Sequence, residues 1–220
     1  MDRCDRFPTL QHEDRLWAAG YHCIAGLDEA GRGAWAGPVV AAAVILPAGD
    51  ESLAGRLAGV RDSKQLTPAR RERLLPVVQQ AALAWGVGVV APEEIDRLGI
   101  VPATRRAMVL ALQTLCVAPD YLLIDYLRLP EALLPQYGLP KGDAHVLSIA
   151  AASIVAKVSR DRLMVELDGC CPGYGLAGNK GYGTAQHQAA LATLGPSRVH
   201  RLSFAPLRAL ERQNAGMLEP

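Results

Sequence analysis

The chain has 220 residues, half of them apolar, with 23 basic against 22 acidic side chains and a formal net charge of +1. That length supports one well-buried core, and the charge balance does not by itself point to a nucleic-acid partner, so any such affinity has to come from a local patch. No window reaches about 18 uninterrupted apolar residues and the first residues, MDRCDRFPTLQHEDRLWAAGYHC, lack an apolar run, so neither a membrane span nor a secretory signal is expected.

The first strong pattern is IAGLDEAGRGAWAGPVVAAAVIL, Ile24 to Leu46, which reads as a strand, a glycine-rich connection and a second strand. Asp28 and Glu29 close the first apolar segment. Adjacent strand residues point to opposite faces, so the two acids share a site only if the strand ends or twists there. A carboxylate cluster calls for protons, arginines or metal ions to offset its repulsion, which at about 4 Å and an effective dielectric near 20 is roughly 4 kcal/mol. Taken alone, the two residues fit a metal site or solvated acids opening a hairpin loop.

Pro47 to Gly59 is weakly patterned and leads to Asp62-Ser63-Lys64, a serine and a lysine suited to phosphate oxygens or to a plain polar turn. Thr67 with Pro68 predicts a capped helix through Leu83, kinked or restarted at Pro76. Trp85 to Val90 predicts a third strand, Pro92 to Leu98 a short helix and Ala103 to Cys116 a longer one with core residues at helical spacing. Tyr121 to Asp125 predicts a buried strand ending in an acid, the position where ligands of open α/β sheets gather.

A fifth strand is possible just before Asp143, and a helix is expected from about Ala144 to Leu167. Asp143 then stands at its N-terminus as a simple cap or as a functional acid. Lys157 and Arg160, three apart on that helix, suit an ion pair or a phosphate contact equally. PGYGLAGNKGYGT, 172–184, reads as a glycine-rich loop in which Lys180 could neutralise phosphate and a tyrosine could stack. Thr184 caps a helix through Leu194, stopped by Gly195-Pro196. Arg198, His200 and Arg201 read as solvated charges or as a duplex grip, and the chain from about Gln213 on looks frayed. The cysteines, Cys4, Cys23, Cys116, Cys170 and Cys171, are odd in number without a C-x-x-C pair, which fits reduced thiols in a cytoplasm.

Six of these segments together carry a resemblance. DEAGRG followed by AGPVVAAAV, then DSK, the strand-end Asp125, GD followed by SIAAASIVAKVSRD, KGYGT followed by His187, and the closing HRLSFAP resemble, in order, the type 2 ribonucleases H, the ribonuclease HII family. Tyr126 stands where the family often has glycine, and His145 and Val146 stand where a basic residue and a serine are common. The resemblance implies an RNase H-like α/β fold: a mixed five-stranded sheet flanked by helices, then a carboxy-terminal helical segment. It implies one catalytic domain over 1–220, with a core of about 22–170 and a substrate-binding loop and helical tail of about 171–212.

The implied activity is metal-dependent endonucleolytic hydrolysis of the RNA strand of RNA–DNA hybrids, and cutting 5′ of single ribonucleotides in duplex DNA, with a role in ribonucleotide removal. Asp28, Glu29, Asp125 and Asp143 would hold two Mg²⁺ or Mn²⁺ ions. Gly31, Arg32 and Gly33 would approach the 2′-hydroxyl, Tyr182 would pack on the next nucleotide, and Ser63, Lys64 and Lys180 would meet the backbone. A cytoplasmic monomer without membrane contact is expected. The alternatives are a type 3 ribonuclease H, which carries an extra amino-terminal domain where this chain has 27 residues before Asp28, and a non-catalytic nucleic-acid binder, which need not keep four acids.

Overall fold

The run VVAAAVI carries no polar side chain, so it suits only a strand covered on both faces. In the computed structural model, which describes residues 7–216 and side chains through 210, that run is β2 (Val39–Ile45), buried at all seven positions. It pairs antiparallel with β1 (Ile24–Ala30), from Ala25 opposite Ile45 to Ala30 opposite Val40. β3 (Ala84–Val90) alternates buried and more exposed positions, as a strand with one covered face does. β4 (Tyr121–Asp125) lies parallel to β1, and β5 (Gln136–Leu139) parallel to β4, giving a mixed sheet in the order β3-β2-β1-β4-β5. The fifth strand therefore lies where the sequence left room for one. Cys4 lies outside the described residues.

The helices in chain order are α1 (Gln11–Ala18), α2 (Leu53–Arg56), α3 (Pro68–Ala81), α4 (Pro92–Leu98), α5 (Ile100–Gln113), α6 (Gly142–His145), α7 (Leu147–Cys170), α8 (Leu176–Asn179), α9 (Ala185–Leu194) and α10 (Ala205–Gly216). Thr67 Oγ1 accepts from the Arg70 N–H as the expected cap of α3. That helix continues through Pro76 without a restart and ends at Ala81, because the Leu83 N–H donates to the Ile45 carbonyl and so joins the sheet. The helix expected to begin at Ala103 begins at Ile100, after Gly99 at φ +82°. α10 continues three residues past Gln213, where fraying was expected, and the last four residues lie outside the described ones.

The largest departure concerns the helix expected from Ala144 to Leu167. It is two helices, α6 and α7, separated by Val146 in an extended conformation at φ −113°, ψ 121°. A distant segment makes the break: the Thr9 N–H donates to the His145 carbonyl, and the Leu147 N–H to the Thr9 carbonyl, both at 3.1 Å. Glu13 of α1 then caps α7, its Oε1 accepting from the Ser148 N–H at 2.8 Å while the residue is 1% exposed.

The chain clusters into two compact units. The first contains the described residues up to Ala30, Val40–Val89 and Arg105–Ser159. Its core joins β1 and β2 residues to α3 and to the small face of α7, Ala150 to Ala152, all fully buried. Gly26 permits that approach, since a Cβ there would run into the Ser148 backbone. Ile45 and Ile154, with no exposed surface, each contribute roughly 1.5–3 kcal/mol of hydrophobic stabilisation. The second unit contains Gly31–Val39, Val90–Thr104 and the chain from Arg160, with its own core around Ala36, Met164, Tyr174, Leu176, Leu191 and Leu207.

Candidate active site

Parallel pairing of β1 and β4 sets Leu27 beside Ile124, so the next residues, Asp28 and Asp125, end up on neighbouring strands at the same level. Paired positions on parallel strands share a face, which draws the two carboxylates toward one site. Asp143 reaches them through α6, whose first residue, Gly142, donates its N–H to Asp125 Oδ1 at 2.7 Å. A side chain at position 142 would press on Ile149 Cδ1. Three acids far apart in sequence are thus brought to one end of the sheet in the first unit.

The electrostatics of the site show a shortage of positive charge. Burial, then repulsion from Glu29 and Asp125, holds the Asp28 carboxyl well above the usual carboxylate range. Burial also raises Asp125, against the Gly142 N–H and Lys64, which lower it. Asp143 is raised by burial, then by Asp62 and Asp125. Lys64 answers this: burial pulls its ammonium down, but Asp28, Asp143, Asp62 and Asp125 together lift it above its ordinary value. Its Nζ lies 3.6 Å from Asp143 Oδ2.

β1 does not end at the two acids but runs on to Ala30, with Asp28 opposite Ala42 and Glu29 opposite Ala41. Glu29 is half-buried, and its N–H donates to Asp28 Oδ1 at 2.7 Å. Among the described residues no group of three His, Cys, Asp or Glu side chains forms a ready metal cage. The donor chemistry still fits a hard divalent cation: the oxygens are carboxylates, and their repulsion is what such an ion offsets. Asp28, Glu29, Asp125 and Asp143 are the residues available to hold it. In this arrangement Lys64 supplies the nearby positive charge.

Ser63 is buried, 5% exposed; its N–H donates to Ser153 Oγ and its carbonyl accepts from Arg71, so it serves the turn that presents Lys64. Asp125 is followed by Tyr126 in the left-handed region at φ 59°. Tyrosine thus adopts the backbone shape that glycine takes without strain, with its ring 66% exposed.

In the second unit Gly31 is buried at φ +88° against Arg160, while Arg32 is half-buried and Gly33 exposed. Arg160, which suited an ion pair or a phosphate contact, and Arg201, which suited a solvated charge or a duplex grip, shape this loop instead, and both are fully buried. Arg160 donates to the carbonyls of Pro38, Ala36 and Lys180, and Arg201 to those of Gly37 and Arg32. Burial lowers both guanidinium groups, Arg201 to about 9 with the Arg160 charge adding to the effect. His200 is likewise buried, and of the expected basic cluster Arg198 alone is exposed. Tyr182 is 38% exposed, with the Arg160 guanidinium 5.5 Å from its ring centroid. Lys180, at φ 54°, turns its Nζ to the Asp161 carbonyl at 3.3 Å.

A five-stranded mixed sheet with acids converging at the ends of β1 and β4 is the architecture of the RNase H-like class. A solved structure of ribonuclease H2 from Pyrococcus horikoshii superposes with a TM-score of 0.72 at 28% identity, over 86% of this chain and 97% of that one. The model of the family Ribonuclease HII matches residues 25–207. Among curated relatives, a ribonuclease HII of Dehalococcoides mccartyi is 54% identical over 92% of this chain and 95% of its own length. One of Chloroflexus aurantiacus is 55% identical over 91% and 94%. The chain belongs to the ribonuclease HII family, and is accordingly a ribonuclease H, a phosphodiester hydrolase.

Proposed function

We propose that this enzyme hydrolyses the RNA strand of RNA–DNA hybrids and cuts duplex DNA on the 5′ side of a single embedded ribonucleotide, leaving 3′-hydroxyl and 5′-phosphate ends. The observation that carries this reading is the register of β1 and β4, which sets Asp28 beside Asp125 with Asp143 tied in through Gly142. Asp28, Glu29, Asp125 and Asp143 would hold two divalent ions, Mg²⁺ or Mn²⁺. Bound there, such ions supply Lewis-acid stabilisation of a phosphoryl oxygen and a more acidic water. The carboxylates would orient them, and Lys64, mostly exposed beside Asp143, would meet a phosphate oxygen of the strand.

Recognition of the sugar belongs to Gly31, Arg32 and Gly33, whose backbone would approach the 2′-hydroxyl that separates RNA from DNA. The grip of Arg160 and Arg201 on neighbouring carbonyls supports this by fixing the loop's shape before substrate arrives. Tyr182 would pack on the following nucleotide, with Lys180 near the backbone. The protein would work as a cytoplasmic monomer supporting ribonucleotide removal during DNA replication and repair.

The test is to incubate the enzyme with end-labelled duplex DNA containing one ribonucleotide, in Mg²⁺, in Mn²⁺ and in chelator, and to map the product ends. The expected result is a single cut 5′ of the ribonucleotide in either metal and none in chelator. A cut at another position, or intact duplex where a long hybrid is degraded, defeats the single-ribonucleotide reading.

A further inference from the structure

Two histidines of the second unit form a buried pair that the proposed chemistry does not use. His187 of α9 has no exposed surface and His200 is 2% exposed. Their Nε2 atoms are 3.0 Å apart. At the far side of each ring lies a backbone group: the Tyr182 carbonyl is 3.0 Å from His187 Nδ1, and the Ser197 N–H donates to His200 Nδ1 at 3.0 Å. Trp35 and Tyr174 flank the pair, with the Tyr174 ring centroid 4.7 Å from that of His200.

The protons follow from the contacts of both rings. A carbonyl only accepts, so His187 Nδ1 carries a hydrogen and neutral His187 has a bare Nε2. The 3.0 Å contact between the two Nε2 atoms then takes its hydrogen from His200, which leaves neutral His200 with a bare Nδ1. That nitrogen accepts from the Ser197 N–H at 3.0 Å and the Ser197 hydroxyl at 2.9 Å, both closer than the Ser197 carbonyl at 3.3 Å. The result is one directional chain, from the Ser197 N–H through His200 and His187 to the Tyr182 carbonyl, with no proton missing or in excess. A further proton on either ring would set two N–H groups against each other. Burial agrees with this, holding both imidazoles below their usual range.

We infer that His187 and His200 are positioning residues, a neutral two-imidazole relay that fixes the backbone of Tyr182 and so the direction in which its ring meets the substrate. The relay ties the KGYGT loop to the segment at Ser197–Arg201, and the Thr184 N–H gives the same carbonyl a second bond at 2.8 Å. On the other side the Arg160 guanidinium backs the ring. This inference rests on the proposed role of Tyr182.

The experiment is a double-mutant cycle on single-ribonucleotide duplex, joined to ¹⁵N imidazole spectra of the wild-type protein. His187→Ala is expected to lower kcat/KM about tenfold, the scale of one lost hydrogen bond, and to cost nothing further in a Tyr182→Ala background. His187→Asn, whose amide keeps a donor near the Nδ1 position, should lie closer to wild type than to the alanine variant. The spectra should show His187 protonated at Nδ1 and His200 at Nε2 at neutral pH, which tests the relay even where an alanine variant fails to fold. Equal losses in both backgrounds, a His187→Ala enzyme as active as wild type, or the opposite tautomers would overturn the inference. If Tyr182→Ala itself cuts this substrate as well as wild type, the reading of Tyr182 falls and takes this one with it.

Discussion

Replacing Arg160 by methionine separates the shape of that side chain from its charge and its donors. In the folded protein the guanidinium is fully buried and donates three hydrogen bonds, to the carbonyls of Pro38 at 2.9 Å, Lys180 at 2.9 Å and Ala36 at 3.1 Å. At roughly 1.5–3 kcal/mol for each bond from a charged group, the gross interaction is about 5–9 kcal/mol. Keeping a cation out of water offsets several kcal/mol of that, and the neutral carbonyls left without a donor cost about 1–3 kcal/mol each, so Arg160→Met should destabilise by about 3–5 kcal/mol. Three carbonyls lose their donor, and the loop from Gly31 to Pro38 loses its fixed shape. Urea unfolding of wild type and variant measures the stability, and cleavage of hybrid under conditions where both are folded measures the loop. Arg160→Lys, which keeps the charge but not the fork of donors, should fall between them. An Arg160→Met protein as stable and as active as wild type would refute the reasoning.

Three other outcomes follow from the same geometry. Asp28 has a raised pKa, so its ionised form opposes folding at neutral pH and ceases to do so as the pH falls below the ordinary 3.8. Asp28→Asn should therefore unfold at higher urea than wild type at pH 7 in chelator, lose that advantage in acid, and cut no substrate; a lower midpoint at pH 7 would contradict this. For His200 the sign is opposite. Its pKa is lowered from 6.5 to about 4, so its contribution is complete above pH 6.5 and is lost as the pH falls through about 4. His200→Gln should show a flatter stability profile between pH 6.5 and 4, and a profile parallel to wild type would count against the neutral pair. Tyr126→Gly should melt no lower than wild type, because relief of about 1–2 kcal/mol of left-handed strain offsets the entropy that glycine adds to the unfolded chain; a clearly lower melting temperature would show that the exposed ring has a structural partner.

Much of the sheet was legible because its signals are local. The β2 run has no polar residue to spare for solvent, and YLLID places an acid at a strand end. The three aspartates stood out by position at strand ends or beside a glycine, but position alone left each as a cap or a solvated acid, and only the resemblance joined them into one set. What the sequence hid depends on distant segments. Nothing within 144–167 announces a break at Val146, because Thr9 supplies the hydrogen bonds that replace the helical ones. Arg160 suited an ion pair or a phosphate contact and Arg201 a solvated charge or a duplex grip, since a guanidinium satisfied by carbonyl oxygens needs no acidic neighbour to mark it. The histidine relay was invisible for a related reason: thirteen residues separate His187 from His200, and each alone reads as an ordinary ring. Glu13, in a polar amino-terminal stretch, gave no sign that it would be buried as the cap of α7.

The central claim is that the acids carried by β1, β4 and α6 act together through a divalent ion on the RNA strand. The measurement that reaches it most directly is the rate of RNA-strand scission in an RNA–DNA hybrid as Mg²⁺ is titrated, for wild type and for Asp143→Asn. The account predicts saturable activity in the wild type, none in chelator, and no scission above that background in the variant at any Mg²⁺ concentration. Scission by Asp143→Asn at the wild-type rate, or by wild type in chelator, would contradict it.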